Sequence, residues 1–447
     1  MSKHMIVVSI DAMVTEDLEY ARSLPNFAKI LEKASVIERV RTIYPSLTHP
    51  AHASIMTGCT PAATGVTSNL IFNPEDPLCS PAPWYNRMSD VRCETIFHAA
   101  KRAGLTTAAA CWPLTCGADV IDYLVPGLLN VDFVGHEDSP LDVYRANGAS
   151  ECVIDIIEEA VSGFGYRDEH PAIEELQAYC SAEIIKRYKP GLLLTHPSYV
   201  DNRRHATGVF GSEINHALRE TDRWLGMLIS ATEEAGIYED TDFVLLSDHG
   251  HIGITRVISP NVYLADAGYI TLDDEEQLVS YDAFVKGVGA SAQVYLSRPE
   301  DKELYMGVYN LLLDMADEGI YGFERVYTTE ETERLHGLSG GFSFVLEGDG
   351  YTSFGDYVAR PSVRGFDISD YRFGRGTHGH LPAKGPQPVF IASGPSFKSG
   401  VIIPEGSIIN HAPTLAVALG TDMPDAEGVP VWEIITDELK RNLEDEA

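Results

Sequence analysis

Three apolar, β-branched runs in this chain each lead into an acid: MIVVSI into Asp11, LLLTHPSYV into Asp201 and FVLLS into Asp248. Short runs of this kind, alternating with helix-period segments, are strands of a mainly parallel sheet flanked by helices. In such sheets ligands sit just beyond the carboxyl ends of the strands. A single acid at that edge more often begins a turn than builds a site. Three of them, two with a histidine close behind, point to a metal centre.

The surrounding pattern fits an α/β chain. Glu94–Ala103 has helical character and stops at Gly104, and the strand-like Leu105–Ala110 follows. Glu175–Tyr188 is helical and ends at a Lys-Pro-Gly break before Leu192–Thr195. Apolar residues recur at helical spacing from Ile214 to Ile229, ahead of the run Phe243–Leu246, and Val389–Ala392 is a further candidate strand. The texture changes between Ser259 and Asp367. Strand-like pieces (Ala292–Leu296, Phe323–Tyr327, Phe342–Leu346) and one helix with apolar positions at Leu304, Val308, Leu311, Leu312 and Met315 are punctuated by glycines. The expectation is a discontinuous α/β core, residues 1–258 and 368–447, with an inserted α+β cap, 259–367, over the site.

Bulk properties narrow the function. No run reaches the ~18 apolar residues of a membrane-spanning helix, and the apolar N-terminal run is too short and ends on an acid, so it is a strand rather than a secretory signal. The formal charge of −33 repels nucleic-acid phosphates and anionic membranes. Neither a nucleic-acid polymer nor a membrane is an expected partner, and any anionic substrate needs a locally positive feature. Seven cysteines include no CxxC pair, which predicts reduced, mostly buried thiols in a cytoplasmic protein.

The chemistry concentrates in a few places. Asp201 and His205, in DNRRH, are an i,i+4 pair that shares one face of a helical turn. Asp248-His249 precede a glycine, so adjacent side chains can turn to one centre. His378 lies in the glycine-punctuated GTHGHLP. With Asp11 these make three aspartates and three histidines, enough for two zinc ions with three protein ligands each and open positions besides. His251 and His380 sit two residues beyond ligand candidates and are compositionally equivalent to them, but support or exposure is the expected fate of both. The nucleophile candidate is Thr48, in YPSLTHPAHASIMTG, just ahead of a helix expected from about Ala51, where backbone N–H groups and the helix dipole favour anions. Ser46 is its local competitor, and capping the helix is the plain structural role for Thr48. Cys59-Thr60-Pro61 imitates the start of a sulfatase motif, but Ala63 stands where that motif has arginine, so Cys59 is structural.

In this order the motifs resemble the alkaline phosphatase superfamily, most closely its type I nucleotide pyrophosphatase/phosphodiesterase branch. They are the strand Asp11, T-x-P-x-H with its following TG, a later asparagine, D-x-x-x-H, DHG and a late G-x-HG. The resemblance implies an alkaline-phosphatase-like core and two divalent cations, most simply zinc. One takes Asp201, His205 and His378, the other Asp11, Asp248 and His249, with Thr48 bridging as nucleophile. It also implies that Asn69, 21 residues after Thr48, hydrogen-bonds a phosphoryl oxygen, and that Trp112-Pro113 is the family's WPG element with Leu114 in place of glycine.

Departures from the family pattern are local. The chain reads T-H-P-A-H where eukaryotic pyrophosphatases read T-F-P-N-H, and Thr64-Gly65-Val66 replaces H-G-I. These leave the metal chemistry intact and bear on nucleotide specificity. The expected activity is hydrolysis of a small-molecule phosphoryl ester, a phosphodiester first, through a phosphothreonine at Thr48. A phosphonoacetate hydrolase-like activity and a metal-dependent phosphomutase are the alternatives, and a non-catalytic metal-binding protein is the third. Serine is the usual nucleophile of the mutases, and no lysines that would grip a carboxylate lie near Cys111–Gly117.

Overall fold

A computed structural model describes residues 3–136, 139–167 and 169–446. Its centre is an eight-stranded sheet made of β1 (His4–Ser9), β2 (Ser35–Arg41), β3 (Thr107–Ala110), β4 (Tyr123–Val125), β5 (Leu192–Thr195), β6 (Thr241–Leu246), β11 (Phe390–Ser393) and β12 (Ile402–Ser407). The spatial order is β12-β2-β11-β6-β1-β5-β3-β4. Every neighbouring pair is parallel except those of β11, which runs antiparallel to both β2 and β6. That reversal has a simple cause. The loop carrying His378 delivers the chain to the carboxyl edge of the sheet, so the next strand has to run back.

Strand β1 explains why the sheet is central. Ile6 and Val8 enter one apolar core and Met5 and Val7 the other. A strand buried on both faces tolerates no polar alternation, hence the unbroken apolar run. Helix α1 (Thr48–Thr57) supplies Ala51, Ala53, Ile55 and Met56 to the second core. Helices α2 (Ala172–Tyr188), α3 (Tyr199–Thr207) and α4 (Ser212–Glu234) cover the opposite face. In β3 the residues are Thr107 and three alanines, all buried, so the flanking layers can approach closely.

The 259–367 segment holds its own four-stranded antiparallel sheet, order β7-β8-β10-β9, with β7 (Ala283–Gly287), β8 (Ser291–Leu296), β9 (Phe323–Thr328) and β10 (Phe344–Gly348). Helix α5 (Lys302–Glu318) packs on it through Leu304, Val308, Leu312 and Met315. Strand β7 escapes the apolar-run rule because Lys286 interrupts it. That lysine is buried and paired with Asp356 at 2.8 Å.

No residue of 259–367 lines the pocket described below. The β7–β8 turn instead props the His378 loop from behind: Ala290 N donates to His378 O at 2.8 Å and Ser291 Oγ to Gly379 O at 2.5 Å. Glycine is required where they meet, because a Cβ on Gly379 would lie 2.1 Å from Val288 O.

Among the described residues no helix is long and apolar enough to cross a membrane. The cysteines are all free, but only Cys59, Cys116 and Cys180 are buried, and Cys152 is exposed. The expectation of mostly buried thiols fails at the remaining positions, which sit on loops and element ends near the surface.

Candidate metal centre and active site

Asp11 stands beyond β1 with one residue between, held there by Asp11 N donating to Pro197 O at 3.0 Å. The next residue, Ala12, has φ +58°, a left-handed conformation that costs a β-carbon residue about 1 kcal/mol. The turn is fixed from both sides. Ala12 N donates to Asp248 Oδ1 at 3.1 Å, and the buried guanidinium of Arg204 donates through Nε to Ala12 O at 3.0 Å. Arg204 is also ion-paired with Asp17.

Asp248 and His249 follow β6 and are fully buried. Gly250 is obligatory, because a Cβ there would lie 2.1 Å from Pro386 O. Asp201 is not at a strand end. Strand β5 stops at Thr195, and Pro197 lets the chain turn into α3, whose first turn holds Asp201 and whose last holds His205. The i,i+4 geometry is as expected, with His205 Nε2 3.3 Å from Asp201 Oδ2.

These side chains gather into two groups whose donor atoms lie within 4.8 Å of one another: Asp201, His205, His251 and His378, and Asp11, Asp248 and His249. The rings of His249 and His378 are 4.2 Å apart, so the groups adjoin. His249 Nε2 lies 3.6 Å from Asp11 Oδ1 and 3.3 Å from Asp248 Oδ2. His205 Nδ1 donates to Gly376 O at 2.8 Å, which leaves Nε2 as the lone pair facing inward.

The electrostatics of the bare protein are unresolved in a telling way. Burial, reinforced by Asp201 and Asp248, pushes the Asp11 carboxyl well above the usual range. Burial also raises Asp248 to about 6. Burial pushes Asp201 up too, but His205 and His251 outweigh it and hold that carboxyl well below its ordinary value. Desolvation keeps His249, down at about 4, and His378 neutral. Asp11 Oδ1, Asp248 Oδ2 and His205 Nε2 are buried with no hydrogen-bond partner. Buried acceptors and carboxylates left unpaired are costly, and cations coordinated among them would remove that cost. The residues present therefore fit a pair of divalent cations.

Helix α1 starts at Thr48, three residues earlier than expected. Pro50 is tolerated within the first turn, where N–H groups have no helical partner to lose. Leu47 is the N-cap, so Thr48 is not a capping residue. Its hydroxyl lies 3.2 Å from His249 Nε2. Asn69, 2% exposed, accepts from His49 N through Oδ1 at 3.0 Å. Ser46 does not compete with Thr48, since its hydroxyl is buried, donates to His380 O at 2.8 Å and accepts from Gly379 N at 3.1 Å.

His251 and His380 part ways. His380 turns aside, with Nδ1 2.8 Å from Leu381 O, whereas His251 turns in and meets Asp201 Oδ1 at 2.6 Å. Cys59 is buried against backbone carbonyls of Thr57 and Asp425. Leu114 has φ +65°. Glycine would adopt that left-handed conformation without the steric cost a Cβ brings.

Thr48, His49, Asn69, Trp84 and Tyr371 line a pocket of about 410 Å³ that opens onto both donor groups. Sequence reasoning missed Trp84 and Tyr371, which lie in loops without motif or period. It also missed His196, which follows β5 directly and sits 3.3 Å from Asp11 Oδ2. A histidine immediately after a parallel strand is a signal that could have found it.

A sequence profile described as "Type I phosphodiesterase / nucleotide pyrophosphatase" matches residues 5–357. The chain belongs to that family. Among the relatives of the chain, the human ectonucleotide pyrophosphatase/phosphodiesterase family member 1 is 24% identical over 268 residues, 58% of this chain and 25% of its own length. An uncharacterized pyrophosphatase/phosphodiesterase of Schizosaccharomyces pombe is 25% identical over 255 residues, 55% of this chain and 44% of its own. The chain thus spans less than half the length of these curated relatives. Murine ectonucleotide pyrophosphatase/phosphodiesterase 5 shares the fold, with a TM-score of 0.64 at 20% identity over 97% of this chain and 100% of that one. Its inactive threonine-to-alanine variant, in complex with AMP, gives a TM-score of 0.65 at the same identity and coverage. The architecture is the alkaline-phosphatase-like α/β fold expected from the motif order.

Proposed function

We propose that this type I phosphodiesterase/nucleotide pyrophosphatase hydrolyses nucleotide-type phosphodiesters through a covalent phosphothreonine on Thr48. The observation that carries the reading is the Thr48 hydroxyl, 3.2 Å from His249 Nε2, at the mouth of a pocket shared by two metal-competent side-chain groups. Asp201, His205 and His378 would hold one divalent cation and Asp11, Asp248 and His249 the other. The nitrogen and carboxylate donors suit zinc. Bound cations would lower the pKa of the Thr48 hydroxyl and meet charge on the phosphoryl oxygens.

Thr48 Oγ1, its proton passing to solvent, attacks phosphorus, the bond from phosphorus to the leaving oxygen breaks in line with that oxygen taking up a proton, and the remaining phosphoryl monoester group stays esterified to Thr48. Water then attacks phosphorus from the opposite side, Thr48 departs with the electron pair of the Oγ–P bond, and a phosphomonoester is released. Asn69 is pinned by His49 N, which takes that N–H away from the substrate. The first turn of α1 therefore offers a phosphoryl oxygen the N–H of Thr48 itself, beside the Asn69 amide. Trp84 and Tyr371, with ring centroids 5.6 Å apart, present aromatic faces in the pocket that suit a planar base. The murine relative captured with AMP, inactive as its threonine-to-alanine variant, supports a nucleotide and a threonine.

The reading is tested by offering one zinc-loaded preparation an aryl phosphodiester, an aryl phosphomonoester, a nucleoside 5′-aryl phosphodiester and phosphonoacetate. The nucleoside diester should be turned over fastest. Equal or faster cleavage of the monoester, or release of acetate from phosphonoacetate, would reassign the reaction. Asn69→Ala should lower kcat by about 10²-fold with zinc content unchanged, the usual cost of one preorganised donor to a developing oxyanion.

A further inference from the structure

We infer that the two cation sites are unequal: His251 is a fourth protein ligand beside Asp201, His205 and His378, while the Asp11, Asp248, His249 site keeps only three. The inference rests on the two-cation reading above and deepens it.

Three imidazoles surround Asp201. Ring centroids are 4.4 Å apart for His205 and His251, 5.0 Å for His205 and His378, and 5.1 Å for His251 and His378. A histidine that merely supported Asp201 would lie behind the carboxylate, away from the other two rings. His251 lies among them, completing a nearly equilateral triangle. Its Nε2 is 2.6 Å from Asp201 Oδ1, and its donor atom shares the 4.8 Å grouping with the other three. His251 is also fully buried, and its Nδ1 has no hydrogen-bond partner. The backbone makes the inward turn possible, since Gly250 lets the chain pass Pro386 and swing the side chains on either side of it toward the centre.

Four protein donors close a tetrahedral site, whereas three leave a position open. The Asp201 site is therefore the tighter and less exchangeable of the two, and it fills first. The open position belongs to the site beside Thr48.

The test is metal binding, read without turnover. The metal-free protein is titrated with Co²⁺, followed by its visible absorption, and with Zn²⁺ against a chromophoric competitor. Two sites of different affinity are expected. His251→Gln, which can still donate a hydrogen bond to Asp201, should weaken the tighter site by more than about 100-fold and change its cobalt spectrum, beyond the 10–100-fold typical of losing a supporting contact. Wild-type affinity and spectrum in His251→Gln would overturn the inference. A crystal structure of the zinc-loaded wild type decides it without a variant. His251 Nε2 at about 2.0–2.1 Å from zinc upholds it, and His251 hydrogen-bonded to Asp201 outside the coordination sphere overturns it. A wild type that binds no metal at all would instead defeat the two-cation reading itself.

Discussion

Replacing Thr48 with alanine is expected to cut turnover of a phosphodiester by at least about 10³-fold while both cation sites stay occupied. Removal of an attacking hydroxyl costs several orders of magnitude even when the rest of a site survives. Nothing in the geometry makes Thr48 a structural keystone. Leu47 rather than Thr48 caps α1, and the cap carries no side-chain hydrogen bond to lose. The helix is anchored by Ala51, Ala53, Ile55 and Met56 in the core. The variant should thus fold and load metal as the wild type does, and the loss should fall on kcat. Quenched-flow labelling with a radioactive diester checks the covalent step independently: acid-stable phosphate on the wild-type chain, none on Thr48→Ala. A variant retaining more than about a tenth of wild-type activity would remove the phosphothreonine from the mechanism.

Stripping the metals is expected to abolish turnover and also to weaken the fold. Asp11 and Asp248 are buried, and burial raises both carboxyls, reinforced for Asp11 by the neighbouring carboxylates and only partly offset for Asp248 by His196 and backbone N–H donors. Divalent cations bound to the native state but not to the unfolded chain supply the remaining compensation. At 100-fold excess over Kd each site contributes about 2.7 kcal/mol of stability. Thermal unfolding of chelator-treated protein should begin at lower temperature, and added Zn²⁺ should restore both melting temperature and activity. Asp248→Asn makes the point locally. It removes one charge and keeps the volume, and Asn Oδ1 can still accept from Ala12 N and His249 N. The variant should lose the cation next to Thr48 and turnover with it, yet be more stable than metal-free wild type. If chelation leaves the melting temperature and activity unchanged, the side-chain groups are not metal sites.

Much of this centre is written in the order of the residues because parallel sheets impose a rule on where ligands bind. Asp11 and Asp248 follow that rule directly, each with one residue between it and a strand end. Asp201 follows it at one remove. An unbroken reading from Leu192 through Val200 ignored Pro197, and the aspartate turned out to sit on a helix, where its partnership with His205 depends on a 3.6-residue turn. The helix expected from about Ala51 begins at Thr48 itself, and the proline within its first turn masked the true start. His251 was set aside because composition cannot say whether a second histidine, beyond Gly250, also turns inward. That depends on the carbonyl of Pro386, distant in sequence. Trp84, Tyr371 and Arg204 had no local signal at all, as their positions follow from loop packing and from a buried ion pair with Asp17.

The hold of Ala290 and Ser291 on the backbone of His378 and Gly379 ties evolutionary or engineered exchange of the 259–367 module to the loop that carries His378. A chimera that swaps in a relative's module alone would leave that loop resting on a foreign turn, and the histidine it presents would drift. Successful recombination in this lineage should therefore move 259–379 as a single cassette, with the crossover placed after Gly379 rather than at the visible boundary of the insertion.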